Sequence, residues 1–148
     1  MKVKNVMKSP VITIQQGANL REAVALMSTA GVSGLPVVDN DGVLAGLVTE
    51  HDIIKAMLPT YEDIIPSDTG LLDANIMENR VYEARNKLVD EVMTRNVIAV
   101  DEDDTLLKAA TTMILKKVKR LPVLCGRKPI GIVSRIDVIE TMLKAAEV

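Results

Sequence analysis

Apolar and polar positions along this chain follow two periods, and the same succession of periods occurs twice. Val11-Ile-Thr-Ile14 and Val97-Ile-Ala-Val100 are apolar runs that predict short buried strands. A polar stretch able to cap a helix follows each, Gln16 to Asn19 and Asp101 to Asp104. Leu20, Ala23, Val24 and Met27 then recur at helical spacing, answered by Leu106, Ala109, Ala110 and Met113. Asn19 and Glu22 have the spacing of a capping box, and Gly31 closes the first helix. Leu35 to Val38 predicts a strand, Asn40-Asp-Gly42 a turn, and Leu44 to Val48 a returning strand. The second copy runs through Leu121 to Leu124, a shorter turn around Gly126 to Pro129, and Gly131-Ile-Val. Thr49 and Ser134 each precede an Asp by three positions, where another helix begins. The final helix places Val138, Ile139, Met142 and Leu143 on its apolar side.

The alignment of the two copies also includes Val6-Met7 with Val92-Met93, and Gly34-Leu-Pro-Val-Val with Arg120-Leu-Pro-Val-Leu. Each copy therefore reads strand, helix, strand, strand, helix. A single unit of roughly 60 residues is marginal alone, and two alike leave the same apolar face uncovered. The expected fold is α+β, two β-α-β-β-α units packed as an intramolecular pseudo-two-fold pair. Repeat 1 is placed at residues 1–57, a helical insert or linker at 58–90, and repeat 2 at 91–148. Within the insert, Pro59 and Pro66 interrupt the first part and Ser67-Asp-Thr-Gly70 forms a turn. Leu71 to Leu88 predicts a helix with Leu72, Ile76 and Met77 on one side.

Composition narrows the chemistry. Apolar residues make up 48 % of the 148, yet the aromatics are two Tyr with no Phe or Trp. The core is therefore aliphatic, with eight Met to fill gaps, Met27 and Met113 among them. Scarcity of aromatics argues against a single-stranded nucleic-acid platform. A net charge of -2 argues against a duplex binder. The expectation is no nucleic acid. No apolar run approaches the roughly 18 residues of a membrane span, and the N-terminus reads as a strand rather than a secretion signal. The chain is expected to be cytoplasmic and off the membrane. Cys125 is the only Cys, so no internal disulfide forms. His51 stands without an arranged nucleophile or metal set, and Asp101 to Asp104 lacks the alternating pattern of a calcium loop. With no Walker loop, nucleophile elbow or His-rich array, neither catalysis nor a metal centre is expected.

Two polar segments remain, Thr49-Glu-His-Asp52 and Ser134-Arg-Ile-Asp137. Ser/Thr-x-x-Asp is a capping box, and a cap alone contributes about 1 kcal/mol. The same geometry also suits a ligand. A helix N-terminus favours an anion, and a carboxylate accepts from vicinal hydroxyls, which together describe a ribose bearing phosphate. Lys116, Lys117, Lys119 and Arg120 cluster before the second LPV strand, and repeat 1 has Gly31, Val32, Ser33 and Gly34 where repeat 2 has Lys117, Val118, Lys119 and Arg120. This cluster reads either as a solvated helix end or as a phosphate contact.

At these residues the chain closely resembles the cystathionine-beta-synthase (CBS) domain family, specifically a stand-alone tandem pair, or Bateman-type module. The resemblance rests on Val6-Met7 and Val92-Met93, the two Leu-Pro-Val strands, and the closing Gly-Leu-Val-Thr-x-x-Asp and Gly-Ile-Val-Ser-x-x-Asp segments. It implies a non-catalytic regulatory module that senses adenosyl ligands in clefts between repeats: AMP, ADP or ATP first, S-adenosylmethionine or NAD otherwise. By position, one cleft would use Ser134, Arg135, Asp137, Lys119 and Arg120, with Ser9, Ile14, Val32 and Ser33 opposite. The other would use Thr49 and Asp52, with Arg95, Val118 and Lys119 opposite. Ser33-Gly34 departs from the basic pair of many members, which weakens the expected phosphate binding at Asp52. Units this thin leave apolar helix faces that one neighbouring unit does not cover, so a homodimer is expected, and the absence of an attached output domain implies a regulated protein acting in trans. The alternative function is a structural protein-interaction module that binds no nucleotide.

Overall fold

The computed structural model describes residues 1–58 and 74–147. In chain order the elements are β1 (Ile14–Gln15), α1 (Leu20–Ala30), β2 (Gly34–Val38), β3 (Leu44–Thr49), α2 (Glu50–Met57), α3 (Ala74–Ala84), α4 (Val89–Val92), β4 (Val100–Asp101), α5 (Leu106–Lys116), β5 (Arg120–Cys125), β6 (Lys128–Ser134) and α6 (Arg135–Ala146). Two β-α-β-β-α units result, with sheets ordered β1-β2-β3 and β4-β5-β6. In the second sheet β4 joins β5 in parallel, and β5 pairs antiparallel with β6.

Local chemistry explains most of the boundaries. Asn19 and Glu22 cap α1 reciprocally: Glu22 N–H donates to Asn19 Oδ1 at 2.9 Å, and Asn19 N–H donates to Glu22 Oε2 at 3.2 Å. Helix α1 ends at Gly31 with φ of 68°, whereas α5 ends at Lys117 with φ of 56°. Both residues adopt the left-handed conformation of a helix stop. Lys117 reaches it despite a β-carbon, which costs on the order of 1 kcal/mol.

Four expectations need correction. Val11 to Ile14 and Val97 to Val100 meet a strand only at their last residue, because the ladder in each sheet begins there. The N-terminus opens on a 3-10 turn, Val3–Asn5, rather than a strand. The cap of α5 is Thr105, whose side chain accepts from Lys108 N–H at 3.1 Å; Asp104 instead accepts from Asp101 N–H at 2.9 Å. The insert helix stops at Ala84, short of Leu88. Pro59, Pro66, the 67–70 turn and the packing of Leu72, Ile76 and Met77 lie outside the described residues.

The chain divides into two compact units. One contains Met1–Thr13, Val38–Leu44 and Asn96–Val148; the other contains Ile14–Val37 and Ala45–Arg95. We call them the Asp137 unit and the Asp52 unit. The core of the Asp137 unit comprises Val3, Val100, Leu106, Ala109, Met113, Leu121, Val123, Val133 and Val138, with Val6 and Met7 packed against it. The core of the Asp52 unit joins Ile14, Leu20, Ala23, Met27, Leu35, Val37, Val48 and Ile53 to Ala84, Val89 and Met93. Each unit thus takes its Val-Met segment from the other sequence repeat.

Two buried glycines receive these segments. A β-carbon at Gly131 would stand 2.5 Å from Met7 Sδ and 3.0 Å from the Lys8 carbonyl oxygen. One at Gly46 would collide with Met93 Sδ and stand 3.0 Å from the Thr94 carbonyl oxygen. Glycine is needed at both positions because a methionine lies directly over the strand.

Candidate functional site

In the Asp137 unit, β6 ends at Ser134 and α6 begins at once, so the helix start lies at a strand exit. Ser134 N–H and Oγ–H both donate to Asp137 Oδ2, at 2.9 and 2.8 Å, and Asp137 N–H donates back to Ser134 Oγ at 3.3 Å. The cap therefore uses one carboxylate oxygen, Oδ2, and leaves Oδ1 outside it. That oxygen lies 3.7 Å from Lys8 Nζ. The Asp137 side chain is 9 % exposed and that of Lys8 77 %. A nearly buried carboxylate thus meets a cation that is free to swing.

The neighbouring chain brings further positive charge to this end of the unit. Arg120 lies opposite Ser134 in the β5–β6 ladder. Arg135 N–H donates to the Lys119 carbonyl at 3.1 Å, which fixes the segment before β5 beside the start of α6. Lys119, Arg120 and Arg135 are all exposed. Among the described residues none of the three has an ion-pair partner. Ser9 follows Lys8 in the same unit and is exposed.

The Asp52 unit repeats the cap with different surroundings. Thr49 N–H and Oγ1–H donate to Asp52 Oδ2 at 3.0 and 2.9 Å, and Asp52 N–H donates to Thr49 Oγ1 at 3.2 Å. Its Oδ1 accepts from Thr94 Oγ1–H at 3.4 Å, a neutral group where Asp137 has a cation. Glu50 N–H donates to the Ser33 carbonyl at 2.9 Å, matching Arg135 and Lys119. Ser33 Oγ is buried and has no hydrogen-bond partner. Gly34 lies against Thr49, with 3.3 Å from a notional β-carbon to Thr49 Cγ2. Arg95 belongs to this unit and donates to the Asp90 carbonyl at 3.0 Å. Thus Ser134, Arg135, Asp137, Lys119, Arg120 and Ser9 share one unit, and Thr49, Asp52, Ser33 and Arg95 share the other. Ile14 and Val32 contribute to the core of the Asp52 unit, and Val118 packs on that of the Asp137 unit.

Lys8 and Thr94 escaped the sequence reading. They follow Val-Met in each repeat, and their signal was that both Val-Met pairs precede a polar residue. The spacing between either residue and its Asp carries no local periodicity.

Other groups show less. Cys125 is exposed, and its thiol is pushed above the usual value, first by a hydrogen bond to Glu102 and then by the negative charges of Glu102, Asp101 and Asp103. Among the described residues no group of three His, Cys, Asp or Glu could hold a metal ion, and no helix is long and apolar enough to cross a membrane.

Comparison with known proteins agrees with this architecture. The CBS domain family model matches residues 3–59 and again 89–144. Uncharacterized protein MJ1426 of Methanocaldococcus jannaschii is 34 % identical over 97 % of this chain and 92 % of its own length. A CBS domain-containing protein of Dictyostelium discoideum is 30 % identical over 98 % of this chain and 93 % of its own. Among solved structures, the CBS domain pair of protein MJ0100 in complex with 5'-methylthioadenosine and S-adenosyl-L-methionine superposes with a TM-score of 0.73 at 27 % identity, covering 98 % of both chains. CBS domains are non-catalytic modules, so the capping carboxylates are binding rather than catalytic candidates. Two family matches, two matching β-α-β-β-α units and two matching Ser/Thr-x-x-Asp caps lead to one conclusion: the chain belongs to the CBS domain family as a tandem pair, the Bateman module.

Proposed function

We propose that this chain is a regulatory module that senses adenosyl ligands, with Asp137 and Asp52 holding ribose hydroxyls. The observation that carries the reading is the division of labour within each carboxylate. Oδ2 is committed to the helix cap, while Oδ1 meets a side chain, Lys8 or Thr94, that a ligand can displace. A cap alone would need only the first oxygen. The complex of the related MJ0100 pair with two adenosyl compounds supports the ligand class. In the Asp137 unit, Arg120 and Lys119 meet phosphate, with Ser134 and Arg135 beside them at the positive end of α6. AMP, ADP and ATP suit that site best. In the Asp52 unit Thr49, Ser33 and Arg95 provide the polar groups. Binding biases two states of the module by its difference in affinity for them, and a protein acting in trans reads the change.

The module works as a homodimer. Helices α5 and α6 expose Leu107, Ile114, Leu115, Ile136, Ile139, Met142 and Leu143, each more than half accessible. Of the apolar side that the sequence marks on α6, Val138 is buried and Ile139, Met142 and Leu143 face outward. So large an apolar face calls for a second copy.

Calorimetric titration with AMP, ATP, NAD and S-adenosylmethionine tests the ligand reading. Asp137→Asn keeps a cap-competent oxygen but loses the charge, and is expected to weaken AMP binding about tenfold or more. Binding of every adenosyl ligand unchanged by that variant refutes the assignment. No binding by the folded parent chain would leave the protein-interaction module as its function.

A further inference from the structure

We infer that residues 8 and 94 set the charge class of the ligand each carboxylate accepts, Lys8 selecting phosphorylated adenosyl compounds at Asp137 and Thr94 selecting uncharged or cationic ones at Asp52. The inference rests on the adenosyl reading above and adds residues which that reading does not require. The two positions are held alike by backbone. Lys8 N–H donates to the Ile132 carbonyl at 2.8 Å and Ile132 N–H to the Lys8 carbonyl at 3.0 Å. Thr94 N–H donates to the Leu47 carbonyl at 2.8 Å and Leu47 N–H to the Thr94 carbonyl at 2.9 Å. Ile132 and Leu47 each precede their capping Asp by the same number of positions. Main chain therefore presents one side chain to Oδ1 in both units, and only its chemistry differs.

That difference acts when a ribose takes Oδ1. At Asp137 the diol displaces the Lys8 ammonium, breaking an ion pair with a nearly buried carboxylate. An uncharged nucleoside offers the ammonium nothing in return. A 5'-phosphate gives it a new anionic partner, and the exposed four-carbon stem lets it move there while remaining anchored at its backbone. Lys119, Arg120 and Arg135 add charge of the same sign around the helix start. At Asp52 the diol displaces only a 3.4 Å hydroxyl contact, which Thr94 replaces with water by rotating. Nearby charge there is Glu50 and Asp52 against Arg95, whose guanidinium already donates to the Asp90 carbonyl. This environment disfavours added phosphate and accepts a neutral thioether or a sulfonium.

The test measures AMP and adenosine affinities by calorimetry in the Asp52→Asn background, so that the Asp137 site is read. Lys8→Thr is expected to lower the preference for AMP over adenosine about tenfold, one charge-assisted contact, weakening AMP while leaving adenosine equal or tighter. Lys8→Arg should keep the preference, and added salt should erode it in the Lys8 protein more than in Lys8→Thr. Thr94→Lys in the Asp137→Asn background should raise AMP over adenosine at the other site. A Lys8→Thr protein that binds both ligands as before, or loses both equally, overturns the inference alone. Absence of any adenosyl binding by the unaltered chain overturns the adenosyl reading and the inference with it.

Discussion

Replacing Gly131 with Ala should destabilise the Asp137 unit through Met7, and the cost can be worked from the contacts. The new methyl would stand 2.5 Å from Met7 Sδ, more than about 1 Å inside ordinary separation. Met7 is half-buried and unbranched, so its thioether can swing aside. The Lys8 carbonyl at 3.0 Å cannot yield so easily, because Lys8 is tied to Ile132 by two backbone hydrogen bonds. Overpacking of this kind costs about 1–3 kcal/mol, offset by about 0.5–1 kcal/mol from replacing a glycine within a strand. A net loss of about 1 kcal/mol is expected. Met7→Ala removes the colliding sulfur, and for a half-buried Met should itself cost about 1–2 kcal/mol, below the range of a fully buried one. The double variant should then be less destabilised than the sum of the singles by about 0.5–1 kcal/mol. Urea denaturation of the parent, both singles and the double gives the cycle, with unchanged slopes showing that the surface exposed on unfolding is comparable. A parent-like midpoint for Gly131→Ala, or strict additivity, would show that Met7 does not seat on Gly131.

Light scattering should give the mass of two chains at micromolar concentration, and Ile139→Lys on α6 should give one; a single-chain mass for the parent rejects the homodimer. Cys125 should alkylate slowly at neutral pH, its rate levelling off only above the usual thiol range, because the hydrogen bond and charge of Glu102 raise its pKa. Glu102→Gln removes the charge and should speed the reaction at pH 8, measured by mass spectrometry; an unchanged rate shows that Glu102 does not control the thiol.

The sequence was most legible where structure depends on neighbours a few positions apart. Asn19–Glu22, Thr49–Asp52 and Ser134–Asp137 are capping boxes because side chain and amide lie within one helical turn. Asp101 to Asp104 misled because several acidic residues compete for the cap that Thr105 takes. Val11 to Ile14 misled because an apolar run carries the same signature whether it joins a ladder or packs as extended chain. On α6, periodicity marked an apolar side but not what covers it, and Ile139, Met142 and Leu143 are exposed. Lys8 and Thr94 were hidden for a stronger reason. Each reaches its Asp through a pairing between distant segments, and a residue-by-residue alignment of repeats does not reveal that their leading segments are exchanged.

That exchange bears on how the protein is made. Residues 1–13 leave the ribosome well before residues 96–148, from which the core they complete is built. Val3 and Met7 must wait, unsheltered, until the residues from Val100 to Val138 have been made. The Asp52 unit meets no such delay, since it closes once Val89 and Met93 have appeared. Synthesis therefore imposes an order on two otherwise similar bodies, the Asp52 unit first and the Asp137 unit last. A nascent chain just long enough to bring residue 95 clear of the ribosome would protect Met93 from protease while still offering Val3 and Met7 to cleavage.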